Sequence, residues 1–310
     1  MPALSIVVPC LNEEDSIPLF YRRVSEVLVD MPGVSYEFVF VDDGSRDSTV
    51  AVVEGLRAMD GRVRFVSFTR NFGKEAAIYA GLSAATGDFV ALMDADLQDP
   101  PELLPEMYQS VKDGEWENAA TRRVSRIGEP PIRSFFARRF YRLINRLSNI
   151  EFVDGARDFR LMKRSMVDSI LRLREYNRFS KGIFSWVGYS TRWFEFENVE
   201  RVAGESKWSF WKLFRYSLEG IVAFSTAPLS IASWAGVLLF VISMCFAIAT
   251  IVRTMLFGDP VAGWPSLVCL VTLIGGMQLL TTGIIGQYLA KTYLETKARP
   301  LYLVRKSSEG

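Results

Sequence analysis

The stretch that decides the fold is Phe89-Val90-Ala91-Leu92-Met93-Asp94-Ala95-Asp96-Leu97-Gln98-Asp99-Pro100-Pro101. Its five leading apolar residues read as a short buried strand. Two aspartates around one alanine close that strand, and a double proline breaks the chain before a helical pattern over 102–112. The same alternation repeats toward the N-terminus. Residues 4–10 form an apolar strand, followed by a helix over 14–29 with Ile17, Phe20, Val24, Val27 and Leu28 on one face. Residues 36–41 lead to a helix over 48–59, with Asp47 or Ser48 as N-cap. Residues 63–69 lead to a helix over 74–85. Strands alternating with helices predict an α/β fold on a mostly parallel sheet.

Polar residues collect at one edge of that sheet. Asn12 and Glu13 follow the first strand, Asp42 and Asp43 close the second, Arg70 and Asn71 follow the third, and Asp94 and Asp96 close the fourth. Open α/β sheets bind ligands outside the carboxyl ends of their strands. Loop polarity and helix capping account for Asp47 and Asn12. They do not account for two carboxylates separated by one alanine, which repel unless a cation is present. Asp94, Asp96, Gln98 and Asp99 offer only hard oxygen ligands, which suits Mg²⁺ or Mn²⁺ and not zinc.

Composition narrows the chemistry. The chain has 310 residues, 36 Lys plus Arg against 35 Asp plus Glu, and a net charge of +1. That balance argues against a nucleic-acid protein. Hydrophobic residues at 49% and charged residues at 23% exclude a disordered chain. There is no histidine, so acid–base work falls to carboxylates, Lys or Tyr, and His-ligated metals and His-based triads are excluded. Cys10, Cys245 and Cys269 form no C-x-x-C motif. No charged region precedes the apolar run at 4–8, so it does not read as a secretory signal.

The apolar excess lies near the C-terminus. Residues 228–252 and 265–289 are two runs of 25 residues without a formal charge, each longer than the roughly 20 that span a bilayer. Arg201, Lys207, Lys212 and Arg215 precede them, and Lys291, Lys297, Arg299, Arg305 and Lys306 follow. The positive-inside rule then keeps both termini cytoplasmic, as a multi-pass protein of the inner (plasma) membrane. The expected organisation is a cytosolic domain over 1–206, a juxtamembrane helix over 207–226, spans over 228–252 and 265–289, and a cytosolic tail over 290–310. Within the first unit, 122–146 holds eight arginines against Glu129 alone. A helix over 131–148 with an aromatic stripe reads as a basic interfacial helix on the lipid bilayer; the alternative is a surface helix packed on the sheet.

Together, Val8-Pro9-Cys10-Leu11-Asn12-Glu13, Val41-Asp42-Asp43-Gly44-Ser45, Arg70-Asn71-Phe72-Gly73-Lys74 and the Asp94–Glu102 stretch resemble the GT-A family 2 glycosyltransferases. The likeness is strongest to those acting on polyprenyl phosphates, the dolichol-phosphate mannose synthases and bactoprenol glucosyltransferases. Asp158-Phe159-Arg160-Leu161-Met162, Asn177-Arg178-Phe179, Gly204-Glu205-Ser206-Lys207 and Ala298-Arg299-Pro300-Leu301-Tyr302 extend it along nearly the whole chain. The resemblance implies a Rossmann-like GT-A domain that inverts a hexose during transfer from a nucleoside-diphosphate sugar, UDP-glucose first, to undecaprenyl phosphate. It implies Asp158 and Asp96 as catalytic, and Asp94, Asp96 and Gln98 as ligands of Mg²⁺ or Mn²⁺. It implies Pro9, Leu11, Glu13, Asp42, Asp43, Lys74, Asp94 and Ala95 for the nucleotide sugar, and Arg122, Arg160, Arg201 and Lys207 for the acceptor phosphate.

Two departures stand out: Arg157 where relatives carry a small residue, expected to alter the acceptor pocket, and Trp208 where a tyrosine is common. No Q-x-x-R-W motif is present, so polymer synthesis is not expected. Small-residue faces at Gly275, Gly276, Gly283 and Gly286 suit helix–helix contact, and together with the resemblance they imply a homo-oligomer such as a tetramer. The alternatives are GDP-mannose or a UDP-N-acetylhexosamine as donor, another membrane lipid or a protein as acceptor, and an inactive scaffold or lipid-translocation subunit.

Overall fold

Four apolar strands stack parallel at the centre of one sheet. β1 (Leu4–Cys10) is buried along its whole length, and it pairs with β2 (Tyr36–Asp42) on one side and β4 (Phe89–Leu92) on the other. β2 in turn pairs with β3 (Val63–Phe68). Parallel neighbours need crossovers, which are supplied by α1 (Ser16–Val29), α2 (Thr49–Met59) and α3 (Lys74–Ala84). The strands are contiguous apolar runs because both faces are covered. Ile6, Val8, Phe38 and Phe40 pack with α1, α2 and α4 (Leu104–Lys112). Val7, Val39 and Val41, on the other face, pack with α3 and with α5 (Arg164–Arg172). The computed structural model describes residues 3–124, 145, 153–197, 227–257 and 263–308.

The expected elements of the first 112 residues are present with ends moved by a residue or two. α1 starts at Ser16 rather than 14, because the Glu13 carbonyl accepts the Ser16 and Ile17 N–H groups. A single 3₁₀ turn, Pro101–Leu103, precedes α4 where a continuous helix from 102 was expected. α3 lies so close to the sheet that a Cβ built on Gly81 would sit 2.2 Å from Val7 Cγ1 and 3.1 Å from Val41 Cγ2. Both valines are buried and β-branched, so neither can swing away. Gly81→Ala should therefore destabilise the domain by about 1–3 kcal/mol, the usual cost of overpacking, measured by urea unfolding.

Beyond residue 112 the sheet becomes mixed. β5 (Asn118–Arg123), β6 (Ala156–Lys163) and β7 (Thr191–Phe196) complete one side, with β6 antiparallel to both β4 and β5 and β7 parallel to β5. α6 (Ser180–Trp186) covers this region. On the far edge β8 (Val304–Ser307) joins antiparallel to β3, giving the order β7-β5-β6-β4-β1-β2-β3-β8. Tyr302 stacks on Phe68 just before β8.

The two apolar runs are helical and longer than expected: α7 (Ala227–Phe257, 31 residues) and α8 (Trp264–Thr296, 33 residues) pack against each other. Among the described residues one stretch, Leu229–Phe246, is long and apolar enough to cross a membrane by length and composition. Trp234, Leu238 and Phe246 on it are exposed. The helix expected over 131–148 lies outside the described residues apart from Asn145, as do the juxtamembrane helix over 207–226, Arg201 and Lys207.

Candidate active site

β4 delivers the two aspartates to the carboxyl edge of the sheet. Met93 still donates its N–H to Val7, and then the chain leaves the ladder. Ala95 turns into the core at 3% exposure, so Asp94 and Asp96 on either side of it point away from the core. Asp96 Oδ1 accepts the Gln98 N–H at 3.2 Å. Leu97 takes the left-handed conformation, φ 53°, and packs its side chain on the core. Asp99 is buried, with Oδ1 accepting Arg157 Nε at 2.7 Å and Oδ2 without a partner among the described residues. Burial pushes the Asp99 carboxyl up to about 6 against the pull of Arg157, and Asp94 and Asp96 add to the rise.

Lys74 joins this edge to β6. Its Nζ lies 2.7 Å from Asp94 Oδ1 and 2.5 Å from Asp158 Oδ2. Gly73 caps α3 with φ 101°, which places Lys74 at the first helical position, beside the positive end of the helix dipole. Burial works against the Lys74 charge, but Asp158 and Asp94 outweigh it and hold the ammonium well above the ordinary lysine range. Burial likewise works against Asp158, but Lys74, then Lys181 and Arg160, hold its carboxyl well below the ordinary range. The Asp158 carboxylate is thus kept ionised by the protein's own cations.

The β1 and β2 ends are stapled together. Asn12 N–H donates to Ser45 Oγ, Arg46 N–H to Asn12 Oδ1, and Glu13 N–H to Thr49 Oγ1. Asp42 is buried and accepts Ser45 N–H and Ser67 Oγ, one on each oxygen. Asp43 is also buried and clamps the β3–α3 loop, accepting Phe72 N–H at 2.6 Å and Gly73 N–H at 2.9 Å. Gly44 makes the approach possible. Its φ is +72°, and a Cβ there would lie 2.4 Å from the Arg70 carbonyl carbon. Among the residues expected at the nucleotide, Pro9, Asp42, Asp43 and Ala95 are buried, Glu13 is partly buried, and Leu11 is exposed.

On the other side of Asp158 the site is cationic. Arg160 follows on the same face of β6 and is 3% exposed. Its guanidinium lies 3.5 Å over the Phe184 ring, Nη2 donates to the Arg157 carbonyl, and Nε has no partner among the described residues. Burial lowers it to about 9, with Asp158 pulling the other way. Lys181 on α6 donates to the Ala156 carbonyl at 3.0 Å. Arg160, Lys181, Phe184, Tyr189 and Trp193 line a small cavity of about 60 Å³. Arg122 stands opposite Ala156, two residues along β6 from Asp158, and pairs with Glu195.

The structure thus brings together Lys74, Asp94, Asp158 and Arg160, which sequence motifs had assigned separately. It adds Lys181, a lone lysine whose value lies in its position beside Asp158. Arg157, expected to alter the acceptor pocket, sets its side chain against Asp99 and Gln98. Among the described residues no three carboxylates or thiols converge as a ready-made metal cage. Asp94 and Asp96 nevertheless fit Mg²⁺ or Mn²⁺, because such ions take one or two carboxylates and complete their shell with substrate phosphates and water.

Residues 5–171 match the family model described as Glycosyl transferase family 2. The chain is 41% identical over 307 residues to the SfII prophage-derived bactoprenol glucosyl transferase of Shigella flexneri, covering 99% of both chains. It is 40% identical over 303 residues to the prophage bactoprenol glucosyl transferase homolog of Escherichia coli K12, covering 98% of both. Among solved structures it is similar to glucosyl-3-phosphoglycerate synthase of Mycobacterium tuberculosis in complex with Mn²⁺ and UDP-glucose, at 21% identity and a TM-score of 0.45, covering 71% of this chain and 77% of that one.

Proposed function

The chain belongs to glycosyl transferase family 2, and from that premise we propose that it moves glucose from UDP-glucose to undecaprenyl phosphate with inversion, at the cytoplasmic face of a membrane. The observation that carries the reading is Lys74, whose ammonium touches both Asp94, which would face the donor, and Asp158, which would face the acceptor. The likeness to bactoprenol glucosyl transferases along the whole chain supplies the sugar and the lipid.

Asp94 and Asp96 would hold a divalent cation with the donor's diphosphate; Gln98 Oε1 is turned toward Arg157, so it ranks behind the two aspartates as a ligand. The bound ion would neutralise the charge that builds on the leaving diphosphate. Pro9, Leu11, Glu13 and Asp42 would line the nucleoside, with Asp43 holding the loop that frames it. Arg160 and Lys181, with Arg122, Arg201 and Lys207, would receive the acceptor phosphate. Asp158 serves best as an orienting anion. A phosphate monoester has its second pKa near ~6, so the nucleophile carries little proton to remove at neutral pH.

The proposed membrane topology has two crossings, α7 and α8. Support comes from β8. It follows α8 and pairs with β3 of the catalytic sheet, and Glu295 near the end of α8 accepts the Tyr176 and Asn177 N–H groups. A chain crossing once would leave β8 on the opposite side from its partner strand, so a spanning α7 demands a second crossing.

The test is transfer of radiolabelled sugar by the purified, detergent-solubilised protein. Label should move from UDP-glucose to undecaprenyl phosphate in Mg²⁺ or Mn²⁺ and stop with EDTA. Label from GDP-mannose, or appearing in diacylglycerol, would reassign the donor or acceptor. No transfer from any nucleotide sugar would sink the enzymatic reading.

A further inference from the structure

We propose that Arg157 is a positioning residue for the cation loop, holding the 94–99 turn in the shape in which Asp94 and Asp96 can share a divalent cation. The inference rests on the reading of that pair as the cation site. Side chains alternate along β6, so Asp158 and Arg160 share one face of the strand while Arg157 lies on the other. Its Nε donates to Asp99 Oδ1 at 2.7 Å and its Nη2 to Gln98 Oε1 at 3.3 Å. One planar guanidinium therefore grips two residues of the turn at once, and does so from the strand that also carries Asp158.

The turn needs such a grip. Leu97 is held left-handed, a conformation that costs a non-glycine residue about 1–2 kcal/mol. Three carboxylates fall within six residues, and Asp99 is buried at 3% exposure. A buried carboxylate this close to two others persists only with a paired cation. Arg157 supplies that cation, its Nε 2.7 Å from Asp99 Oδ1. A lysine would keep the charge but could not reproduce the two-pronged grip. That difference separates positioning from simple electrostatics: by Coulomb's law alone, deleting a cation beside Asp94 and Asp96 would tighten metal binding.

The experiment measures Mn²⁺ binding to the full-length protein in the presence of UDP, from loss of the free-ion EPR signal. Arg157→Lys should raise the Mn²⁺ Kd about 10-fold, within the range typical of residues that orient metal ligands, and Arg157→Met at least as much. KM for the nucleotide sugar should rise while KM for the lipid phosphate stays unchanged. Wild-type Kd in Arg157→Lys, or tighter binding in Arg157→Met, overturns the proposal. Should Arg157→Met fail to fold, the charge-conserving Arg157→Lys decides alone. If the wild-type protein with UDP takes up no Mn²⁺, the cation site itself is wrong, a failure distinct from that of the clamp.

Discussion

An Asp96→Asn enzyme should transfer sugar on the order of 10³-fold more slowly than wild type while melting at the same temperature. The asparagine oxygen can still accept the Gln98 N–H that Asp96 Oδ1 accepts at 3.2 Å, so the turn keeps that bond. What is lost is one of the two formal charges at the strand end. A cation that neutralises a leaving diphosphate is worth several kcal/mol, and each 1.36 kcal/mol is tenfold in rate. The loss should appear in kcat/KM for the nucleotide sugar and shrink as Mn²⁺ is raised, because weakened affinity is partly restored by mass action. Near-normal turnover by Asp96→Asn at low metal would remove the aspartate pair from the chemistry. The matched melting temperature is the control, since a folding defect would lower rate and stability together.

The part of this fold that could be read from sequence is the part whose physics is local. β1 to β4 are uninterrupted apolar runs because both faces of a parallel sheet are covered, and Asp94 and Asp96 stand out because adjacent carboxylates need a reason. β5 reads Asn-Ala-Ala-Thr-Arg-Arg and β7 reads Thr-Arg-Trp-Phe-Glu-Phe. Neither is an apolar run, and both become strands through pairing with distant chain segments. β8, four residues with two basic side chains, owes its place to β3. The site shows the same division. Lys74 is 20 residues from Asp94 and 84 from Asp158, so no motif could join the three. The contact of Arg157 with the 94–99 turn was hidden for a simpler reason. Period-two alternation from Asp158 puts its neighbour on the other face, which the strand assignment for 156–163 was needed to reveal.

Lys74→Met should cost on the order of 10²–10³ in kcat, more than Asp158→Asn, and the two changes together should cost little more than Lys74→Met alone. The Lys74 ammonium is the shared counter-ion of Asp94 and Asp158, whose side chains are only 23% and 18% exposed. Removing it leaves two carboxylates facing each other at the point where, on the proposed reading, the diphosphate and the lipid phosphate would also meet, so repulsion would fall on both substrates. Removing the Asp158 charge instead leaves Lys74 on Asp94 and leaves Arg160 and Lys181 for the acceptor. Residues acting as one unit lose function non-additively, which the double variant detects. The pH profile separates this from general-base catalysis. Lys74, Lys181 and Arg160 hold the Asp158 carboxyl far below the ordinary range despite its burial, so it stays ionised throughout the working range and makes a weak base. Wild-type kcat should rise only with the second ionisation of the acceptor phosphate, near ~6, and Asp158→Asn should show the same midpoint at a lower plateau. An Asp158→Asn rate that climbs steadily with pH, as hydroxide substitutes for a missing base, would make Asp158 the base; a Lys74→Met enzyme of normal rate would remove the shared counter-ion from the mechanism.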